Sequence, residues 1–209
     1  MKISNMFPCG KPFYGLDNQD FPASGGLLLI RHSERYPIHN IPESYTVGIT
    51  DAGRIKSYEF GKKLAQKWSI GEAVSSPVGR CMETCDYILR GAINGSNPFQ
   101  VVRPLNALHF DQKLTGLPGL SQVFLDDPGF IALTSNPQTP EYTLMLKNLL
   151  NELPIPQAYG SVNIAVTHDV IVSFLQVSLM NLPSVSIRDF PGYLEGILLV
   201  RDGNQVKLG

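Results

Sequence analysis

The chain has 209 residues, 43% of them hydrophobic and 17% charged, with a formal net charge of −1. That is the balance of a globular domain with a sizeable core, and it excludes the basic excess of a nucleic-acid or anionic-membrane binder. No apolar run approaches the ~20 residues of a bilayer span, no early stretch reads as a signal-peptide core, and three cysteines, an odd number, argue against a disulfide scaffold, so the expected setting is cytoplasmic.

Residues 1–24 are rich in Gly, Pro, Asn and Asp without a period. They predict an irregular arm that packs on the core through Phe7, Phe13, Tyr14 and Phe21. Gly26-Leu27-Leu28-Leu29-Ile30 then predicts a buried strand over 26–31. A loop over 36–49 carries Pro37, His39 and Pro42. Thr50 is placed to cap a helix over 51–68, whose face of Ile55, Tyr58, Gly61, Leu64, Ala65 and Trp68 keeps the helical period. Lys56, Lys62, Lys63 and Lys67 belong to its solvent side.

Ala73-Val74-Ser75 reads as a short strand, and Pro77 opens a helix over 78–90. A third strand is expected at 99–103, followed by a long loop-like connection over 104–138 and a helix over 139–152 that Pro154 ends. Residues 161–167 form the next strand and 169–180 an apolar helix stopped by Pro183. A last parallel strand is expected at 195–200. The turn signal Asp202-Gly203-Asn204 returns 205–208 as its antiparallel partner. Strands alternating with helices imply an α/β fold: a mostly parallel sheet with helices on both faces. The expected organisation is the arm plus a single domain over 25–209, with 104–160 as a cap or insert.

The most informative stretch is Arg31-His32-Ser33-Glu34-Arg35, placed where the first strand ends. In open α/β sheets ligands bind at that strand end. Flanking cations disfavour protonation of the imidazole. A neutral imidazole beside fixed cations suits a nucleophile aimed at phosphorus, with the cations neutralising the phosphoryl oxygens.

Three more pieces follow in order: Thr50-Asp51-Ala52-Gly53, Ser75-Ser76-Pro77-Val78-Gly79-Arg80, and Val166-Thr167-His168-Asp169. With Arg-His-x-x-Arg and Pro37 the series resembles the histidine phosphatase superfamily, over roughly residues 25–200. The resemblance implies a phosphoglycerate mutase-like fold and a phosphomonoesterase working through a phosphohistidine on His32. Arg31, Arg35, Arg80 and His168 would hold the phosphoryl group. Asp169 would protonate the leaving oxygen, as in the histidine acid phosphatase branch, where the Asp after the second histidine does so. A mildly acidic optimum follows, because Asp169 must start protonated. Many members of that branch are exported and disulfide-bonded, a setting this chain does not share.

Two rival readings stay open: a phosphoglycerate mutase-like phosphotransferase, against which His168-Asp169 speaks, and a catalytically weak phosphate-binding relative. Neither metal nor organic cofactor is implied. The expected partner is a small-molecule phosphomonoester, with no nucleic acid and no membrane; the sequence carries no marker of oligomeric state.

Glu83 is the runner-up proton donor, although its helix position suggests an exposed face. Glu34 is expected to orient an arginine or face solvent, and Thr84 to pack. His39 and His109 lie in segments that can line the mouth of the pocket but read as surface loop residues rather than substrate contacts, while Arg188 and Tyr193 fall in a late loop that can reach the site. Cys81 and Cys85, four apart, suit buried helix packing better than zinc.

Overall fold

Strand β1, Gly26–Arg31, is the centre of the molecule. The computed structural model describes residues 25–39, 42–93, 101–109, 139–156, 161–184, 190–203 and 205–209. The expected arm with Cys9, most of the 104–138 connection, and Arg188 lie outside these residues. Short helix α1, Glu43–Thr46, and helix α2, Asp51–Ala65, lead to β2, Ser69–Ser75. Helix α3, Gly79–Ala92, precedes the two-residue strand β3, Arg103–Pro104, and a 3-10 turn over Asn106–Leu108. Helix α4, Pro140–Glu152, strand β4, Ser161–Thr167, and helix α5, Asp169–Leu179, follow. Strands β5, Gly196–Asp202, and β6, Gln205–Leu208, complete the six-stranded sheet of order β3-β2-β4-β1-β5-β6.

The sheet is mostly parallel: β3, β2, β4 and β1 run together. Strand β5 pairs antiparallel to β1, which corrects the expected last parallel strand, and β6 returns antiparallel to β5 as expected. The third strand also differs from expectation. Its described part begins at Arg103, and Val101, 80% exposed, precedes it outside the ladder. Strand β2 is longer than its apolar end suggests. A register shift between Ile70 and Ala73 lets Ser69 and Ile70 join the ladder, and the Glu72 N–H finds Asn163 Oδ1 at 2.8 Å instead of a strand partner.

The unbroken apolar run of β1 has a simple cause. Side chains alternate across a sheet, so Leu27 and Leu29 face α4 and α5 while Leu28 and Ile30 face α2 and α3. Both faces are covered, and all four residues are fully buried. Each contributes about 1.5–3 kcal/mol by leaving water.

Helix α2 starts as expected, with the Thr50 hydroxyl accepting from the Gly53 N–H at 3.0 Å. Its buried stripe, however, is Gly53, Ser57, Phe60, Gly61 and Leu64, while Ile55 is 66% and Tyr58 41% exposed. The reason is a close crossing with α3. A Cβ on Gly61 would meet the Ile88 carbonyl oxygen at 1.9 Å, and one on Gly91 would meet the Tyr58 carbonyl oxygen at 1.9 Å. Small residues let the two backbones touch, so they face inward and the larger apolar side chains turn outward. Among the described residues no helix is long and apolar enough to cross a membrane.

Candidate active site

Three parallel strands deliver the site. Arg31 pairs with Thr167 and Ser75 with Val166, so β1, β4 and β2 end level with one another. The ladder continues one residue further: the His32 N–H donates to the Thr167 carbonyl at 2.8 Å, and the Ser76 N–H to the Val166 carbonyl at 2.9 Å. His32, His168 and Ser76 are thereby fixed by backbone bonds at adjoining strand ends. The rings of His32 and His168 meet edge-on, centroids 5.6 Å apart.

The residue after His32 anchors that loop. Ser33 is fully buried; its N–H donates to Thr84 Oγ1 at 3.0 Å and its hydroxyl to the Gly53 carbonyl at 2.9 Å. Thr84 in turn donates to the Arg80 carbonyl at 2.7 Å. Thr84, expected only to pack, thus ties the His32 loop to α3.

Arg80, 9% exposed in the first turn of α3, joins the two imidazoles. Its Nε–H donates to His32 Nε2 at 3.1 Å and its Nη2 donates to His168 Nδ1 at 3.2 Å. Its third nitrogen, Nη1, donates to the Ser44 carbonyl of α1. Arginine has no acceptor, so these contacts assign both tautomers. His32 carries its proton on Nδ1, which donates to the Ser33 carbonyl at 2.8 Å, and leaves the lone pair on Nε2. His168 carries its proton on Nε2 and donates to Ser76 Oγ at 3.1 Å. Burial, then the charge of Arg80, with smaller contributions from Arg31 and Arg35, lowers the His32 pKa from 6.5 to about 3. Burial and Arg80 likewise hold His168 well below the usual histidine range.

Arg31 lies at the edge of this cluster. Its Nη2 pairs with Asp169 Oδ2 at 3.0 Å, its Nη1 donates to the Pro191 carbonyl at 3.0 Å, and the Tyr193 ring covers it at 4.5 Å. Asp169 is the first residue of α5, and its Oδ1 accepts from the Val170 N–H at 2.9 Å, so it serves the helix start as well as Arg31. Arg35 is placed by a bridge to Ile49 and donates to the Tyr36 carbonyl, and its charge reaches both His32 and Arg80. Of the six residues expected from the sequence, Arg31, His32, Arg80, His168 and Asp169 fall into one cluster, and Arg35 stands close enough for its charge to reach it.

Other expectations need correction. Glu83 is not on an exposed face: Oε1 takes the Arg54 Nε–H at 2.7 Å and Oε2 the Ile49 N–H at 2.9 Å, stitching α3 to α2 and its lead-in loop. Glu34 faces solvent, one of its two expected roles, and orients a lysine rather than an arginine, with Lys56 Nζ at 2.7 Å. His109 packs its ring edge-on against His168 at 5.7 Å and against Tyr45 at 5.5 Å. Tyr193, in the late loop as expected, stands 5.8 Å from His32. Tyr45 and the second serine of Ser75-Ser76 were missed as site residues; the serine had a signal, because it lies inside the motif that carries Arg80. Cys81 and Cys85 are free and buried, and burial pushes the Cys81 thiol up to about 12, so it stays protonated 3.7 Å from His168 Nε2. Among the described residues no group of three or more His, Cys, Asp or Glu side chains could hold a metal ion.

No protein-family model and no curated protein matches the chain. Solved structures do. A phosphoglycerate mutase from Bacillus anthracis aligns over 90% of this chain and 93% of its own, with 12% identity and a TM-score of 0.54. A mycobacterial glucosyl-3-phosphoglycerate phosphatase aligns over 89% and 96%, with 17% identity and a TM-score of 0.53. A phosphoserine phosphatase from Entamoeba histolytica aligns over 88% and 94%, with 13% identity and a TM-score of 0.52. At such identities the likeness establishes the fold: this chain has the phosphoglycerate mutase-like α/β fold.

Proposed function

We propose that the protein is a histidine phosphatase that hydrolyses a small phosphomonoester through a phosphohistidine on His32. One observation carries the reading: a neutral imidazole whose Nδ1 proton is committed to a carbonyl and whose Nε2 lone pair is met by a buried arginine. The guanidinium is shared with the His168 lone pair, and an arriving anion takes over the arginine and frees the His32 Nε2 lone pair to attack.

In this account the phosphoryl group enters between His32 and Arg80, and Arg80 exchanges its bonds to the imidazoles for phosphoryl oxygens. Arg31 and Arg35 complete the electrostatic cradle, and His168 joins it by turning its Nε2–H from Ser76 to a phosphoryl oxygen. His32 Nε2 forms the bond to phosphorus as the ester oxygen leaves, and that oxygen takes its proton from Asp169. Asp169 is the better placed carboxyl, since it lies next to His168 and pairs with Arg31 inside the cluster, whereas Glu83 is turned away towards Arg54 and Ile49. Water then attacks the phosphohistidine and gives a proton to the Asp169 carboxylate, the P–N bond breaks, and phosphate leaves with His32 and protonated Asp169 restored. An acid phosphatase-like donor gives a mildly acidic optimum, at which His32 is still unprotonated. The names of the similar structures, among them phosphatases and a mutase, agree with phosphoryl chemistry at this site.

The test is release of inorganic phosphate from p-nitrophenyl phosphate across pH, with a chelator present, for the wild type and His32→Ala. Chelator-resistant activity that disappears in the variant supports the reading. A wild type that binds phosphate but never turns over makes the protein a phosphate-binding relative. Phosphoryl transfer to an added alcohol in place of water makes it mutase-like.

A further inference from the structure

Beyond the groups that face the phosphoryl position, the rim of the site is built from rings. Tyr193, 38% exposed, lies beside His32 and covers the Arg31 guanidinium. On the His168 side, His109 meets His168 edge-on with an interplanar angle of 62°, and Tyr45, 54% exposed, meets His109 edge-on at 72°. These edge-to-face spacings are those of an aromatic cluster, and the run from His32 through His168 and His109 to Tyr45 leads from the reacting nitrogen outward. Tyr45 is carried by α1, whose Ser44 carbonyl holds Arg80, so this wall and the phosphate clamp are positioned together.

Among the described residues, the charges near the rim other than Arg35, which serves the phosphoryl group, are already matched. Asp169 and the Pro191 carbonyl take Arg31, while Glu83 takes Arg54 and Lys56 takes Glu34. An ester whose alcohol carries a second anion or many hydroxyls needs charged or polar groups there; a flat apolar alcohol needs ring faces and edges. The geometry points to a leaving-group subsite formed by Tyr45, His109 and Tyr193 that takes an aryl group, making aryl phosphomonoesters the substrate class. This assignment rests on the phosphoryl-site reading above and adds the identity of the alcohol.

Nonhydrolysable phosphonates separate the two claims, because their binding does not depend on leaving-group chemistry. Affinities of phenylphosphonate and methylphosphonate are measured by calorimetry for the wild type, Tyr45→Ala and Tyr45→Phe. An aromatic subsite binds the phenyl compound about tenfold more tightly or better. The preference falls to below about threefold in Tyr45→Ala and is kept in Tyr45→Phe. Equal affinities in the wild type, or a preference that survives Tyr45→Ala, overturn the aryl subsite while leaving the phosphoryl site standing. Failure of both phosphonates to bind overturns the phosphoryl-site reading itself.

Discussion

Thr84→Val isolates the bond that anchors the His32 loop. Thr84 is fully buried, accepts from the Ser33 N–H at 3.0 Å and donates to the Arg80 carbonyl at 2.7 Å. Valine has nearly the same shape, so no cavity opens. What changes is polar. The Arg80 carbonyl lies within α3 and keeps the helix ladder, but the Ser33 N–H is left buried facing a methyl group. An orphaned buried donor costs about 1–3 kcal/mol, so the expected loss is about 2 kcal/mol. For a domain of this size that lowers the melting temperature by about 4–8 °C. Urea denaturation of wild type and variant measures it directly, with the midpoint shifted and the slope unchanged. A loss below about 0.5 kcal/mol would refute the reasoning, because it would mean that the Ser33 N–H finds another partner at no cost.

Three further outcomes are expected. Stability should fall on acidification through His32. The unfolded chain takes up a proton below about pH 6.5 while the folded chain resists until about 3, so this contribution is complete above 6.5 and is lost between the two values, with about 2 kcal/mol gone at pH 5. Urea midpoints at pH 7 and pH 5 test this, and His32→Gln should show a shallower loss. Gly61→Ala places a Cβ 1.9 Å from the Ile88 carbonyl oxygen and forces α2 and α3 apart, costing about 3 kcal/mol or more by thermal or chemical denaturation. A loss within about 0.5 kcal/mol would show that the crossing can open freely. Asp169→Asn should lower kcat on alkyl phosphates by about 10²–10⁴ and far less on p-nitrophenyl phosphate, whose leaving group needs no proton. An equal loss on both would assign Asp169 to holding Arg31 instead of to proton donation.

The candidate site was legible because its residues lie in contiguous motifs at strand ends. Arg31, His32 and Arg35 share one pentapeptide, and His168 and Asp169 are neighbours in sequence. Backbone bonds from His32 to Thr167 and from Ser76 to Val166 then bring the separate motifs together, as the parallel sheet implied. Helix α2 was misread for an opposite reason. Periodicity weighs side-chain size, whereas its packing against α3 is governed by Gly61 and, on α3, Gly91, whose value is what they lack. The rim was legible only in part: Tyr193 was expected to reach the site, whereas Tyr45 was not singled out and His109 was read as a surface residue. Tyr45, His109 and Tyr193 come from three separate segments, and a lone histidine or tyrosine in a loop carries no address. Antiparallel β5 was equally hidden, because a buried strand has the same apolar composition in either direction.

The central claim is that His32 carries the phosphoryl group. Rapid acid-free quenching of the enzyme during turnover of p-nitrophenyl phosphate, followed by peptide mass mapping, tests it most directly. The account predicts an acid-labile phosphoryl group on His32 that is absent when His32 is replaced by alanine, together with loss of turnover. Turnover that persists in His32→Ala, or a phosphoryl group found on another residue, would contradict it.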